Sequence, residues 1–210
     1  MNSADVFDEE YFEKGISTGK SLYEGFNWMP GRSIMEAQAV INALKLQGNE
    51  SVLDFGCAKG FFVKAMRLLG YDACGLDISK YAIEHGDTET QPYLFLDHVG
   101  EKFFDVGFCK DVLEHTLILL PVLKQMASLA HKWLVIVPLG DKGKYRISDY
   151  FLDRTHIIAE NEEWWIRAFR NAGFKISWVG YEVPGIKENW TKRTGYEKGN
   201  LFLLMEVNEL

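Results

Sequence analysis

The chain has 210 residues, 47% of them hydrophobic and 25% charged, with a formal net charge of −7. That length and balance suit one globular domain with a sizeable core and exclude wholesale disorder. The acidic excess argues against a nucleic-acid partner, because a duplex-binding face must be basic to neutralise phosphates.

The chain opens with residues 1–33, rich in glycine, aromatics and acids but weakly periodic, read as an N-terminal arm or lid ahead of a domain over 34–210. Ser33-x-x-Glu36 resembles a capping box and predicts a helix to about Leu46, stopped by Gly48. Strands and helices then alternate. Ser51–Phe55 predicts a strand, Phe61–Leu69 a helix ended by Gly70, Ala73–Leu76 a strand, and Lys80–Glu84 a helix capped by Ser79. Tyr93–Leu96 and Asp105–Cys109 predict two more strands, followed by a helix from Pro121 to about Ala130 and a strand over Trp133–Val137. After a long connection, Glu162–Asn171 predicts a helix with Trp164, Trp165, Ala168 and Phe169 on one face, ended by Gly173. Lys175–Val183 and Leu201–Val207 predict strands joined by a polar, aromatic loop over Lys187–Asn200. Alternation of this kind implies an α/β fold with a doubly wound, mainly parallel seven-stranded sheet. The last two strands lack an intervening helix and predict a C-terminal antiparallel hairpin.

Cys57, Cys74 and Cys109 form no Cys-x-x-Cys pair and cannot all pair within one chain, which implies reduced thiols in a reducing compartment. The acidic N-terminus lacks an apolar signal core, and the longest apolar stretches are too short to span a bilayer. The expectation is a cytoplasmic protein with no membrane partner.

The most informative segment is Val52-Leu-Asp-Phe-Gly-Cys-Ala-Lys-Gly-Phe-Phe62, an apolar strand entering a tight loop that opens a helix. Small residues there let a ligand approach the backbone, and the helix N-terminus supplies free N–H donors. A dinucleotide fingerprint needs Gly-x-Gly-x-x-Gly. From Gly56 the third position is Ala58 and the sixth Phe61, so that pattern fails. The spacing Gly56-x-Ala58-x-Gly60 instead resembles motif I of the Rossmann-like S-adenosylmethionine-dependent methyltransferases, with Ala58 in place of the middle glycine. The layout of five parallel strands plus a hairpin fits the same family. Phe104-Asp105 followed by Leu113-Glu-His115, Asp153-x-x-His156, and Asn171-Ala-Gly-Phe174 resemble its later segments, so the likeness covers about residues 34–180.

The resemblance implies S-adenosylmethionine as cofactor, held by Asp54, Gly56, Cys57, Ala58 and Gly60, by Asp77 on the ribose hydroxyls with Ile78 beside it, and by Asp97 near the adenine. Asp97 as a plain strand-end cap is the alternative. Lys110 is expected at the crevice, while Tyr23 or Arg32 of the arm is expected on the methionine carboxylate. His115 and His156 are the candidate bases, needed only if the acceptor must lose a proton. For His115 the structural alternative is a helix-start histidine that packs on the cofactor or bonds a carbonyl. No histidine pair shows metal-ligand spacing, so no metal is expected. Lys59 reads as a solvated loop lysine. Trp28 is expected to line the acceptor pocket, and Trp190 and Tyr196 of the 187–200 loop to contact the acceptor. The expected function is methyl transfer to a small molecule, a sugar or other metabolite, by a monomer or homodimer without a nucleic-acid partner. A nucleic-acid or protein methyltransferase and a non-catalytic S-adenosylmethionine-binding protein are the alternatives. The first is disfavoured because Cys109-Lys-Asp-Val112 stands where amino-DNA methyltransferases carry Asn/Asp-Pro-Pro-Tyr.

Overall fold

A computed structural model describes residues 3–188 and 198–207. Among the described residues the strands are β1 (Ser51–Phe55), β2 (Asp72–Asp77), β3 (Leu94–Leu96), β4 (Phe104–Lys110), β5 (Ala130–Pro138), β6 (Gly140–Asp141), β7 (Lys144–Tyr145), β8 (Phe174–Gly180) and β9 (Asn200–Val207). The α-helices are α1 (Glu9–Glu13), α2 (Gly15–Thr18), α3 (Pro30–Leu44), α4 (Phe61–Leu68), α5 (Lys80–Glu84), α6 (Leu119–Ala127) and α7 (Glu162–Asn171).

Seven strands form one sheet in the order β3-β2-β1-β4-β5-β9-β8. β1 to β5 run parallel, β9 pairs antiparallel with β5, and β8 pairs antiparallel with β9. The expected sheet and its terminal hairpin are therefore present. Alternate residues of each central strand face opposite sides. Val52, Val106, Phe108, Leu134, Ile136 and Phe202 pack with α3 and α4. Leu53, Cys109, Trp133, Val135 and Leu203 pack with Leu123 and Met126 of α6 and Trp165 and Phe169 of α7. Order reverses between β1 and β4, which opens a crevice at the carboxyl ends of these strands.

Local chemistry explains most boundaries. Ser79 accepts from the Ala82 N–H at 3.0 Å and caps α5, as expected. Asn161 accepts from the Trp164 N–H at 2.9 Å and caps α7. Two expectations fail. Ser33 and Glu36 lie inside α3, which starts at Pro30, a residue whose missing N–H suits a first helical turn. That helix ends where Lys45 turns left-handed at φ 58°, before Gly48. The connection after β5 also forms a small hairpin, β6 with β7, which periodicity did not indicate. Among the described residues no helix is long and apolar enough to cross a membrane.

Candidate active site

The loop leaving β1 is built from left-handed turns. Gly56, Ala58 and Gly60 have φ of 82°, 49° and 77°. Ala58 adopts a conformation that costs a Cβ-bearing residue energy, and the loop is held by surrounding bonds. The N–H groups of Gly56 and Cys57 both donate to the Leu76 carbonyl, at 2.7 and 3.1 Å. Asp77 braces the other side, accepting from the Ala58 N–H on Oδ2 and the Ser79 N–H on Oδ1, each at 2.7 Å. Each of these oxygens keeps a further lone pair for a ligand donor. Cys57 packs its thiol against Gly75, where a Cβ would lie 2.6 Å from the sulfur, and burial pushes that thiol well above its usual range.

A cavity of about 1040 Å³ runs along this edge of the sheet. Asp54, Gly56, Cys57 and Ala58 line it from the β1 loop, Asp77 and Ile78 from the end of β2, and Asp97 from the end of β3. Lys110 lines it from β4, and Tyr23 and Arg32 from the N-terminal segment. Three predicted residues stand apart from it. Gly60 starts α4 with its Cα against Leu94, where a Cβ would come within 2.6 Å, so it shapes the loop. Trp28 packs on Phe61 at 6.0 Å between ring centroids and lies under the Lys64 ammonium, which turns it away from the pocket. His156 is off the cavity wall. Trp190 and Tyr196 lie outside the described residues.

Charge in the cavity is uneven. Burial lifts Asp54 to about 8, helped by Glu36 and Asp77, although Lys110 pulls it down. Lys110 is ion-paired with Glu36 of α3, a buried carboxylate whose sequence context suggested only a cap. Burial also opposes ionisation of Asp111, but Lys187 and Lys110 together hold it below the usual carboxylate range. The Lys187 ammonium donates to Asp111 at 2.6 Å and to Asn200 at 2.9 Å, so the start of the 187–200 loop does reach the crevice.

The N-terminal segment is fastened over the site. Lys59, expected in solvent, is only 7% exposed; it pairs with Glu13 and donates to the Phe26 carbonyl at 3.1 Å. Its alkyl stem passes into the interior because α1 covers the loop. Ser79 donates to the Phe7 carbonyl at 2.5 Å, and Tyr11 donates to Asp153 at 3.1 Å. Tyr11, Phe12, Tyr23 and Phe26 form an aromatic cluster with centroids 4.8–6.1 Å apart. Burial raises the Tyr23 phenol well above its ordinary value, so it is a neutral donor at physiological pH.

The two histidines stand together, with ring centroids 4.5 Å apart. His115 lines the cavity and His156 lies next to it. The Nδ1 of His115 is 2.8 Å from the Thr155 hydroxyl, and the Nδ1 of His156 is 2.7 Å from the Tyr150 carbonyl. Burial, with His156 beside it, lowers His115 to about 4; burial also lowers His156. Both are neutral imidazoles at pH 7. The expectation that no histidine pair has ligand spacing fails in three dimensions, because β4 and the segment after β7 converge here. Ligand atoms of Glu114, His115 and His156 lie within 4.8 Å of one another.

Comparison with known proteins agrees with this architecture. A family model described as a methyltransferase domain matches residues 32–179, more than half of the chain. No curated protein sequence matches. Among solved structures, a chain of the complex between the Haloferax volcanii Trm112 methyltransferase activator and a methyltransferase is 15% identical with a TM-score of 0.64, covering 86% of this chain and 92% of that one. A SAM-dependent methyltransferase from Archaeoglobus fulgidus is 15% identical with a TM-score of 0.62, covering 83% and 94%. The Burkholderia thailandensis 1,6-didemethyltoxoflavin-N1-methyltransferase, solved with its substrate and S-adenosylhomocysteine, is 16% identical with a TM-score of 0.59, covering 85% and 80%. With its motif I loop, doubly wound sheet and matching family model, the chain belongs to the methyltransferase domain family, the Rossmann-like enzymes that use S-adenosylmethionine.

Proposed function

We propose that this enzyme transfers the methyl group of S-adenosylmethionine to a small molecule held between the N-terminal segment and the carboxyl edge of the sheet. The observation that carries this reading is a cavity bounded by the β1 loop and Asp77 on one side and by residues of the N-terminal segment on the other. Its volume, about 1040 Å³, suits a nucleoside and a second molecule together.

The lining suits the cofactor. The tight left-handed loop brings backbone close to a ligand, Asp77 retains acceptor capacity for ribose hydroxyls, and Asp54 is a buried carboxyl whose ionisation a cationic ligand would restore. In this reading Asp97 and Ile78 flank the adenine, while Tyr23, Arg32 and Lys110 surround the methionine end. When bound, S-adenosylmethionine supplies an electrophilic methyl on a sulfonium. The protein aligns the acceptor and excludes water, with the N-terminal segment serving as lid over the loop. His115, on the cavity wall, is better placed than His156 to meet an acceptor, but its lowered basicity suits orientation more than proton removal.

The expected preference for sugars rested on the aromatic loops and the lack of a basic face, and Trp190 and Tyr196 of the second loop lie outside the described residues. The described wall instead carries exposed apolar side chains, Ile16, Met29, Leu117 and Ile118, the last two 71% and 70% exposed. These favour an acceptor with an apolar portion over a bare sugar. The test is S-adenosylhomocysteine release from S-adenosylmethionine across a panel of sugars, apolar metabolites, RNA and protein. Turnover on a small apolar acceptor is expected. Release only with RNA or protein, or cofactor binding without any turnover, would contradict the proposal.

A further inference from the structure

Glu114, His115 and His156 converge beside the cavity in a way the methyl-transfer chemistry does not require. Glu114 is 0% exposed, and neither of its carboxylate oxygens has a hydrogen-bond partner among the described residues. An ionised carboxylate left so in a protein interior is costly. His156 Nε2, which lies 3.9 Å from Glu114 Oε1, offers it a lone pair. The Tyr150 carbonyl can only accept, so Nδ1 of His156 carries its proton and Nε2 is bare. That Nε2 faces Glu114 Oε1 at 3.9 Å and Asp153 Oδ2 at 4.0 Å.

The same logic fixes His115. Thr155 Oγ1 has one proton, and it goes to Asp153 Oδ1 at 2.5 Å. Nδ1 of His115, 2.8 Å from that hydroxyl oxygen, is therefore the donor, and its Nε2 is also bare. Each imidazole thus has its outer nitrogen oriented by a hydrogen bond to a carbonyl or hydroxyl, the arrangement that holds a metal-ligating histidine in position.

We propose that Glu114, His115 and His156 bind a divalent transition-metal cation, of which Zn²⁺ is the type, at the edge of the cavity. Two imidazole nitrogens and one carboxylate oxygen form a donor set that suits such ions. Ligand atoms around a tetrahedral ion at about 2.1 Å lie about 3.4 Å apart. The three ligand atoms lie within 4.8 Å of one another, with His156 Nε2 and Glu114 Oε1 at 3.9 Å, so side-chain rotations would have to draw them together around the ion. Three protein ligands leave a position for water or a substrate oxygen. Because His115 belongs to the cavity wall, that position is open to an acceptor oxygen, which ties the site to the small-molecule reading of the cavity. Lys187, whose charge acts on Glu114, is already engaged with Asp111 and Asn200. The rival neutraliser of Glu114 is a proton.

The test is titration of the chelator-treated full chain with Co²⁺, read by its visible absorption and by proton NMR. One Co²⁺ per chain is expected, with two hyperfine-shifted imidazole N–H signals in the unaltered protein and displacement by Zn²⁺. Glu114→Gln and His156→Ala should each raise the Co²⁺ dissociation constant about 100-fold or more. Absence of stoichiometric uptake, absence of the two shifted signals, or an affinity unchanged from the parent chain in both variants would overturn the site and leave a protonated Glu114. Calorimetry with S-adenosylhomocysteine on the same samples separates the readings, because failure of the metal site leaves that binding intact.

Discussion

The Tyr11 hydroxyl donates to the Asp153 carboxylate at 3.1 Å, joining the first helix of the chain to the segment that follows β7 across 142 residues of sequence. Asp153 is buried and also holds the N–H and hydroxyl of Thr155, which in turn meets His115. One carboxylate therefore couples the N-terminal segment to the cavity wall. Tyr11→Phe should lower stability to urea by about 1.5–3 kcal/mol, the cost of a lost hydrogen bond to a buried carboxylate. It should also loosen the segment, so hydrogen exchange over residues 9–26 should rise.

The Lys59–Glu13 pair is a second fastening, from motif I to α1. Lys59→Met keeps the buried stem and removes the charge. Glu13 retains some exposure and can rehydrate, so the loss should be about 1–2 kcal/mol, less than for a fully buried pair. Limited proteolysis should cut the variant within residues 1–29 faster than the parent chain, with the remaining domain intact.

Asp77 braces the loop through Ala58 and Ser79, and in the proposed reading its oxygens also meet a ribose. Asp77→Ala should weaken S-adenosylhomocysteine binding by about 1–3 kcal/mol and also reduce stability. Calorimetry and urea unfolding measure the two effects separately; unchanged affinity would remove Asp77 as a ribose ligand.

Asp54 should make cofactor binding pH-dependent. Its folded value of about 8 lies far above the unfolded 3.8, so the free protein holds this proton through most of that interval. Stability from this group is therefore present below pH 3.8 and declines as pH rises towards 8. A ligand ammonium favours the ionised form, so binding should release a proton. Affinity should rise from pH 6 to 8, by at most about tenfold per unit, and level off above. Asp54→Asn should flatten that slope, and calorimetry in buffers of differing ionisation enthalpy should show the released proton only in the parent chain.

Much of this molecule was legible in its sequence because the signals were local. Buried strands with alternating faces, the Ser79 cap and the glycine-spaced loop each follow from a few neighbouring residues. What was hidden depends on tertiary convergence. Lys59 reads as solvated until α1 covers it. Glu36 reads as a capping residue until α3, starting at Pro30, aims it at Lys110. Trp28 reads as a pocket aromatic, yet Phe61 and Lys64 offer it a better surface. The His115–His156 pair lies far apart in sequence, and only the return of the chain after β7 makes it visible.

Seating of the cofactor on the β1 loop is tested most directly by a crystal structure of the full chain with S-adenosylhomocysteine. The ribose should lie on the Asp77 carboxylate and the amino-acid end beside Asp54 and Gly56. A ligand that does not bind, or that binds away from residues 54–58 and Asp77, would contradict it.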